Sequence, residues 1–145
     1  MNKELKIFVY GSLREGFFNY DLYLKGKIKS IKPAIIEGYD LYHMPYKGYP
    51  AIFSGKQIIV GEVVELLDYE INLEAMDKME GFLGSNNPNN EYSREIVKAK
   101  YTDDEKYEDC YCYIYNKSID DRFDKEAIYI SNGDWKKYMT KISNF

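Results

Sequence analysis

Near its start the chain sets Leu5, Ile7 and Val9 in alternation with Lys6, Phe8 and Tyr10, a period of two that predicts a strand. The strand stops at Gly11-Ser12. Asn19 then stands before a short helical stretch at residues 20–25 and reads as its N-cap. Strands are predicted at residues 26–31, 35–43 and 51–53. A longer one at 57–67 is β-branched at Ile58, Ile59, Val60, Val63 and Val64. Residues 72–80 read as a helix, with Gly81 as the natural residue to follow its end. Gly84-Ser85-Asn86-Asn87-Pro88-Asn89-Asn90 has a loop composition. Strands at 92–101 and 107–115, joined by the acidic turn Asp103-Asp104-Glu105, predict a hairpin. Residues 132–142 read as a small amphipathic helix carrying Trp135 and Tyr138. The pattern is strand-rich with two or three short helices. It predicts an α+β fold, a small mixed β-barrel closed or nearly so, rather than a doubly wound sheet.

Composition narrows the picture. At 145 residues the chain has the size of one domain, here read as 1–145, with no repeat, low-complexity tract or linker. Sixteen Tyr and seven Phe favour strands and give amphipathic walls to any pocket. The net charge of -4 is spread with both signs interspersed, so no nucleic-acid partner is expected. No apolar run approaches the roughly 20 residues that cross a bilayer, and no membrane partner is expected. Residues 1–6 lack the apolar core of a signal peptide. Cys110 and Cys112 stand at i and i+2, on one face of a strand but too far apart to bridge easily, and read as reduced, buried thiols. This is the composition expected of a cytoplasmic protein.

Elimination does much of the chemical work. The single histidine, His43, rules against a His-based triad and a two-histidine metal site, and reads as a packed residue. The cysteines are too close for an unaided zinc site. Gly11-Ser12-Leu13-Arg14-Glu15-Gly16 lacks the spacing of a dinucleotide loop, and no phosphate-binding P-loop is present. No metal or cofactor is expected. Carboxylates, tyrosines and backbone amides remain. With about 100° per residue and Leu73 at zero, Met76 falls at roughly 300° and Glu80 at roughly 340°. Glu80 therefore lies in the apolar stripe of its helix, where burial would raise its pKa as a general acid/base requires. If the helix frays before Gly81, Glu80 meets solvent instead. Tyr10-Gly11-Ser12-Leu13 has a matching logic, since a strand ending in Gly-Ser frees consecutive backbone N–H groups that can hold an anion. A plain strand-to-helix turn is the alternative.

Taken together, these residues resemble the gamma-glutamylcyclotransferase-like family, which includes the gamma-glutamylamine cyclotransferases. Phe8-Val9-Tyr10-Gly11-Ser12-Leu13-Arg14-Glu15-Gly16, with Asn19 after it, resembles the family's Val-Tyr-Gly-Ser/Thr-Leu signature. Gly48-Tyr49-Pro50-Ala51, Val60-Gly61-Glu62-Val63, Met76-Asp77-Lys78-Met79-Glu80-Gly81-Phe82, Tyr92-Ser93-Arg94 and Gly133-Asp134-Trp135 are similar to its further motifs, in the family's order. The resemblance implies a small mixed barrel with a cavity at one end. It implies that Tyr10, Gly11, Ser12 and Leu13 bind a small-molecule gamma-glutamyl substrate through backbone amides, with Glu80 as acid/base. The implied reaction releases 5-oxoproline and a free amine by attack of the substrate's own α-amine, an acyl-transfer or lyase-type cyclisation. Tyr115, at the end of the hairpin, lends a hydroxyl to the pocket or is a core tyrosine, and Arg94 reads as a structural ion pair. A binding module that holds such a ligand without turning it over is the rival, and a structural protein a third reading. The stretch between Gly81 and Tyr92 is longer than in the family's compact members, which leaves specificity open. Neither the leaving amine nor the oligomeric state is legible.

Overall fold

The computed structural model describes residues 4–142, so part of the segment read above for a signal peptide (1–3) lies outside it. Two long strands dominate. β2 (Ile28–Met44) and β3 (Tyr49–Leu66) run antiparallel from Ile28 opposite Leu66 to Met44 opposite Tyr49. The sequence pattern divides this pair into four strands. Its apparent breaks are absorbed within the ladder instead: Pro33 stays in register with Glu62, and register slips at Ser30 and around Tyr39 bend the pair. Gly55 and Gly61 lie where the bent pair crosses other groups. A Cβ on Gly55 would overlap the Asp40 carboxylate, and one on Gly61 the carbonyl of Val9.

β1 (Lys6–Val9) pairs antiparallel with β3, Ile7 opposite Val64, and parallel with β5 (Tyr107–Tyr115), Lys6 opposite Cys110. β4 (Tyr92–Tyr101) and β5 form the predicted hairpin, in register from Tyr92 opposite Tyr115 to Lys100 opposite Tyr107. β4 reaches β2 at Ala34 opposite Tyr101. The strand order β3-β1-β5-β4-β2 therefore closes on itself through the β2–β3 ladder, a five-stranded mixed barrel. The two-residue β6 (Ile128–Tyr129) adds to β2 at Tyr42.

Among the described residues four α-helices decorate the barrel: α1 (Phe18–Tyr23), α2 (Tyr69–Met79), α3 (Phe123–Glu126) and α4 (Trp135–Ile142). α3 and β6 are too short to show a period, and the sequence pattern left their stretch unassigned. Asn19 is not the N-cap of α1. Phe17 takes that place without a side-chain bond, and Asn19 lies inside the helix, 6% exposed. α4 is capped instead by Asp134, whose Oδ1 accepts the N–H of Lys137 at 2.9 Å.

Strand alternation divides the core in two. Ile7, Val9, Val64 and Tyr113 pack with Leu24 and Met76 of the α1–α2 side. Phe8, Ile36, Ile59, Val63, Val97, Cys110, Cys112 and Ile114 form the other set, with Trp135. Each fully buried Val, Leu, Ile, Phe or Met among them contributes about 1.5–3 kcal/mol. Both cysteines are buried free thiols, and burial pushes the Cys110 thiol up to about 12.

Candidate active site

The end of β1 and the end of α2 meet at one cavity. Beyond Val9 the chain turns, the N–H of Arg14 donating to the carbonyl of Gly11 at 2.9 Å. Gly11 is dictated by a neighbour, because an added Cβ would lie 2.5 Å from Cγ of Pro50. Arg14 anchors the turn from below. Its Nε donates to Glu62 of β3 and its guanidinium to Asp134 Oδ1 at 3.0 Å, an ion triad largely shielded from water. Among the described residues, the N–H groups of Gly11, Ser12 and Leu13 have no protein acceptor.

Glu80 is held from both sides. Its N–H completes the last turn of α2, donating to Met76 at 2.9 Å. Its carbonyl accepts the N–H of Tyr92 at 3.2 Å, while the carbonyl of Gly81 accepts that of Glu91 at 3.1 Å. Two rungs thus join the helix end to the start of β4. Gly81 makes them possible: its φ is 69°, and a Cβ there would meet Cβ of Glu91 at 2.9 Å.

The cavity between these walls encloses about 580 Å³ of empty space, its mouth included. Tyr10, Gly11, Ser12, Leu13 and Glu80 all line it, with Tyr49, Pro50, Glu91, Tyr92 and Tyr113 among the rest. Burial pushes the Glu80 carboxyl up to about 8, and the charges of Glu91 and Asp77 push the same way. Among the described residues nothing donates a hydrogen bond to that carboxyl. Three of the four lining tyrosines, all but Tyr49, are committed elsewhere. Tyr10 donates to the carbonyl of Tyr113 at 2.6 Å, Tyr92 to that of Pro50 at 2.7 Å, and Tyr113 to Asp77 Oδ1 at 2.7 Å. Burial raises the pKa of all three, so they stay neutral.

Tyr115 is not among the lining residues. Its ring packs against Tyr92 with centroids 5.0 Å apart, and its hydroxyl donates to Asp120 at 2.6 Å, one layer behind the cavity. Strand parity puts Tyr113 and Tyr115 on one face of β5, but only the bend of the hairpin decides which of them reaches the cavity. Tyr49, Pro50 and Tyr92 lie in the motifs that carried the resemblance, so a signal for them existed. Glu91 follows an aperiodic loop and had none. That loop is tied internally, Asn90 accepting the N–H of Leu83 and donating to the carbonyl of Gly84, and none of residues 84–90 lines the cavity. Arg94 pairs with Asp77 and lies over Tyr111 and Phe82, away from the cavity lining. His43 is buried, its Nδ1 accepting Trp135 Nε1–H at 3.0 Å. Among the described residues no group of His, Cys, Asp and Glu could hold a metal ion, and no helix is long and apolar enough to cross a membrane.

A small closed mixed barrel with a raised carboxyl facing a strand-end turn defines a class, and comparison with known proteins identifies it. The profile of the family described as gamma-glutamyl cyclotransferase, AIG2-like, matches residues 7–137, and the chain belongs to that family. A candidate gamma-glutamylcyclotransferase of Methanocaldococcus jannaschii is 31% identical over 134 residues, covering 91% of this chain and 96% of that one. The gamma-L-glutamyl-butirosin B gamma-glutamyl cyclotransferase of Niallia circulans is 28% identical over 134 residues, 91% of this chain and 76% of that one. The crystal structure of a mouse AIG2-like protein shares the fold at a TM-score of 0.66 and 19% identity, covering 90% of this chain and 88% of that one.

Proposed function

We propose that the protein is a cyclotransferase that releases 5-oxoproline and a free amine from a gamma-glutamyl amine or amide, with Glu80 as general acid/base. One observation carries the reading. A carboxyl whose pKa is about 8 shares a cavity with three backbone N–H groups that the protein leaves unused. At pH 7 such a carboxyl is roughly nine-tenths protonated, so it can both take and return a proton near neutrality.

In the proposed reaction Tyr10, Gly11, Ser12 and Leu13 hold the curled gamma-glutamyl group, their amides meeting its negative oxygens. Ionised Glu80 accepts a proton from the substrate's α-ammonium. The freed amine attacks the γ-carbonyl carbon, a ring C–N bond forms, and negative charge develops on the carbonyl oxygen, where preorganised donors act. Glu80 then protonates the leaving nitrogen as the old C–N bond breaks. Two protons leave the attacking nitrogen in all, and two end on the departing amine, which leaves as an ammonium. No protein nucleophile is needed. The amine and the carbonyl already belong to one molecule, so the protein's part is to hold the chain between them curled, with the two reacting atoms in contact. Tyr115 enters only as the residue that backs Tyr92.

Glu80→Gln keeps size and polarity but carries no proton, so turnover should fall by ~10²–10⁴-fold while the fold persists. The sign of the stability change follows from the raised pKa. Between about pH 4.5 and 8 the folded protein holds a proton the unfolded chain has lost, so burial of Glu80 increasingly costs stability as pH rises. The variant should therefore melt above the wild type at pH 8, with the gap closing towards pH 4.5. A panel of gamma-glutamyl amines assayed for 5-oxoproline, with thermal melts on both proteins, tests this. A wild type that binds 5-oxoproline yet releases none from any substrate would make the protein a binding module.

A further inference from the structure

Ser12 is gripped twice by α1. The N–H of Tyr20 donates to its carbonyl at 3.1 Å, and Asn19 Nδ2 donates to its Oγ at 2.8 Å. A serine hydroxyl has one proton and two lone pairs. With a lone pair taken by the Asn19 amide, the proton is directed elsewhere. Among the described residues no acceptor receives it, and Ser12 lines the cavity.

The charge of that cavity makes the free proton matter. Its ionisable acidic side chains are Glu80 and Glu91, with no Lys or Arg among the lining. A negative group on a ligand must therefore be met by neutral donors. Tyr10, Tyr92 and Tyr113 have already given their protons to Tyr113, Pro50 and Asp77. What remains is the amides of Gly11, Ser12 and Leu13, the hydroxyl of Ser12, and that of Tyr49, a residue 41% exposed.

We infer that the Ser12 hydroxyl is a fourth donor, aimed at the α-carboxylate of the gamma-glutamyl group, and that Asn19 is the positioning residue that turns its proton into the cavity. The inference rests on the cyclotransferase reading, because it names the group of that substrate which Ser12 addresses. It makes the site selective for ligands that keep the carboxylate beside the attacking amine. It also explains why Asn19 is buried within the first turn of a helix, a position where its own propensity is poor.

The product retains the carboxylate, so the inference is readable without turnover. The probes are 5-oxoproline and 2-pyrrolidinone, the same ring without the carboxylate, titrated calorimetrically. Ser12→Ala should weaken 5-oxoproline by about 10- to 100-fold, as loss of a hydrogen bond to a charged group does, and leave 2-pyrrolidinone unchanged. Ser12→Thr keeps the hydroxyl and should retain most of the affinity. Asn19→Leu leaves the hydroxyl unsteered. It should weaken 5-oxoproline in the wild-type background and have no further effect in the Ser12→Ala background. Should Asn19→Leu fail to fold, the Ala and Thr variants of Ser12 decide alone. Equal binding of 5-oxoproline by wild type and Ser12→Ala overturns the inference. So does a loss that falls equally on both ligands, or an Asn19→Leu effect that persists undiminished without the hydroxyl. A wild type that binds 5-oxoproline but never forms it overturns the cyclotransferase reading and leaves the Ser12 result standing. A wild type that does not bind 5-oxoproline overturns both.

Discussion

Glu91 stands beside Glu80 along the cavity wall, and its charge is the second cause of the raised Glu80 pKa, after burial. In the proposed ring closure one proton is shared between Glu80 and the substrate amine, so activity against pH should trace a bell. The acid limb marks the pH below which both are protonated, and the alkaline limb the pH above which neither is. Glu91→Gln removes a repelling charge, so the Glu80 carboxyl ionises more readily and the acid limb of kcat/KM moves to lower pH. Burial is untouched, so Glu80 should still titrate above an ordinary carboxyl. An acid limb that stays put would mean that Glu91 does not act on Glu80 through charge. At this scale the sequence was readable where geometry is local. The helical repeat alone put Glu80 on the apolar stripe, because only a helix end separates it from Met76. Asn19 was misread as a cap, because its amide is drawn to Ser12, seven positions earlier, a contact that no local rule supplies.

The hairpin β4–β5 was legible to the residue, since its alternation and acidic turn are contiguous. β2 and β3 were not, because Pro33, Gly38 and Gly55 look like chain breaks until a partner strand shows Pro33 held in register and the irregularity around Tyr39 absorbing Gly38 and Gly55. A similar dependence on a distant partner governs Gly133. Its φ is 67°, its carbonyl accepts the N–H of Val60 at 2.8 Å, and a Cβ would overlap the carbonyl of Ile58. Gly133→Ala should therefore lift the start of α4 from β3 and destabilise the protein by at least ~1–3 kcal/mol. Equilibrium denaturation measures this. A stability equal to wild type would show that the α4 junction yields at no cost.

Across the whole molecule, the triad Arg14–Glu62–Asp134 ties the turn after β1, the second half of β3 and the cap of α4 into one unit. Arg14 and Glu62 are only 10% and 11% exposed at their side chains. Arg14→Met would leave the Glu62 carboxylate shielded without a partner, at a cost of ~3–5 kcal/mol. Urea unfolding should show that loss, and a loss below about 1 kcal/mol would mean water reaches Glu62 freely. The α+β barrel class was legible because strand periodicity dominates the chain. Closure or near-closure was legible on the same ground, but the strand order was not, since the parallel β1–β5 pairing joins segments about a hundred positions apart. From the residues themselves, apart from the family resemblance, the cavity was legible as two separate halves, the turn at Gly11 and the helix end at Glu80. What brings them together is the pair of rungs to Glu91 and Tyr92.

Tyr92 is at the cavity, while Tyr101, nine positions on, ends the same strand, and at about 3.3 Å per residue the two lie roughly 30 Å apart. The hairpin is therefore a lever with one end at the cavity and the other far from it. The tip at Asp103-Asp104-Glu105 is exposed, and its bonds are to its own neighbours. Foreign sequence belongs there. A short Gly/Ser insertion after Asp104, or an affinity peptide grafted in its place, should leave the rate of 5-oxoproline release within about twofold of the parent, because loop closure over a few added residues costs under ~1 kcal/mol. A large drop in rate would mean that strain at the tip is transmitted along both strands to Tyr92, and that the barrel moves as a whole during turnover.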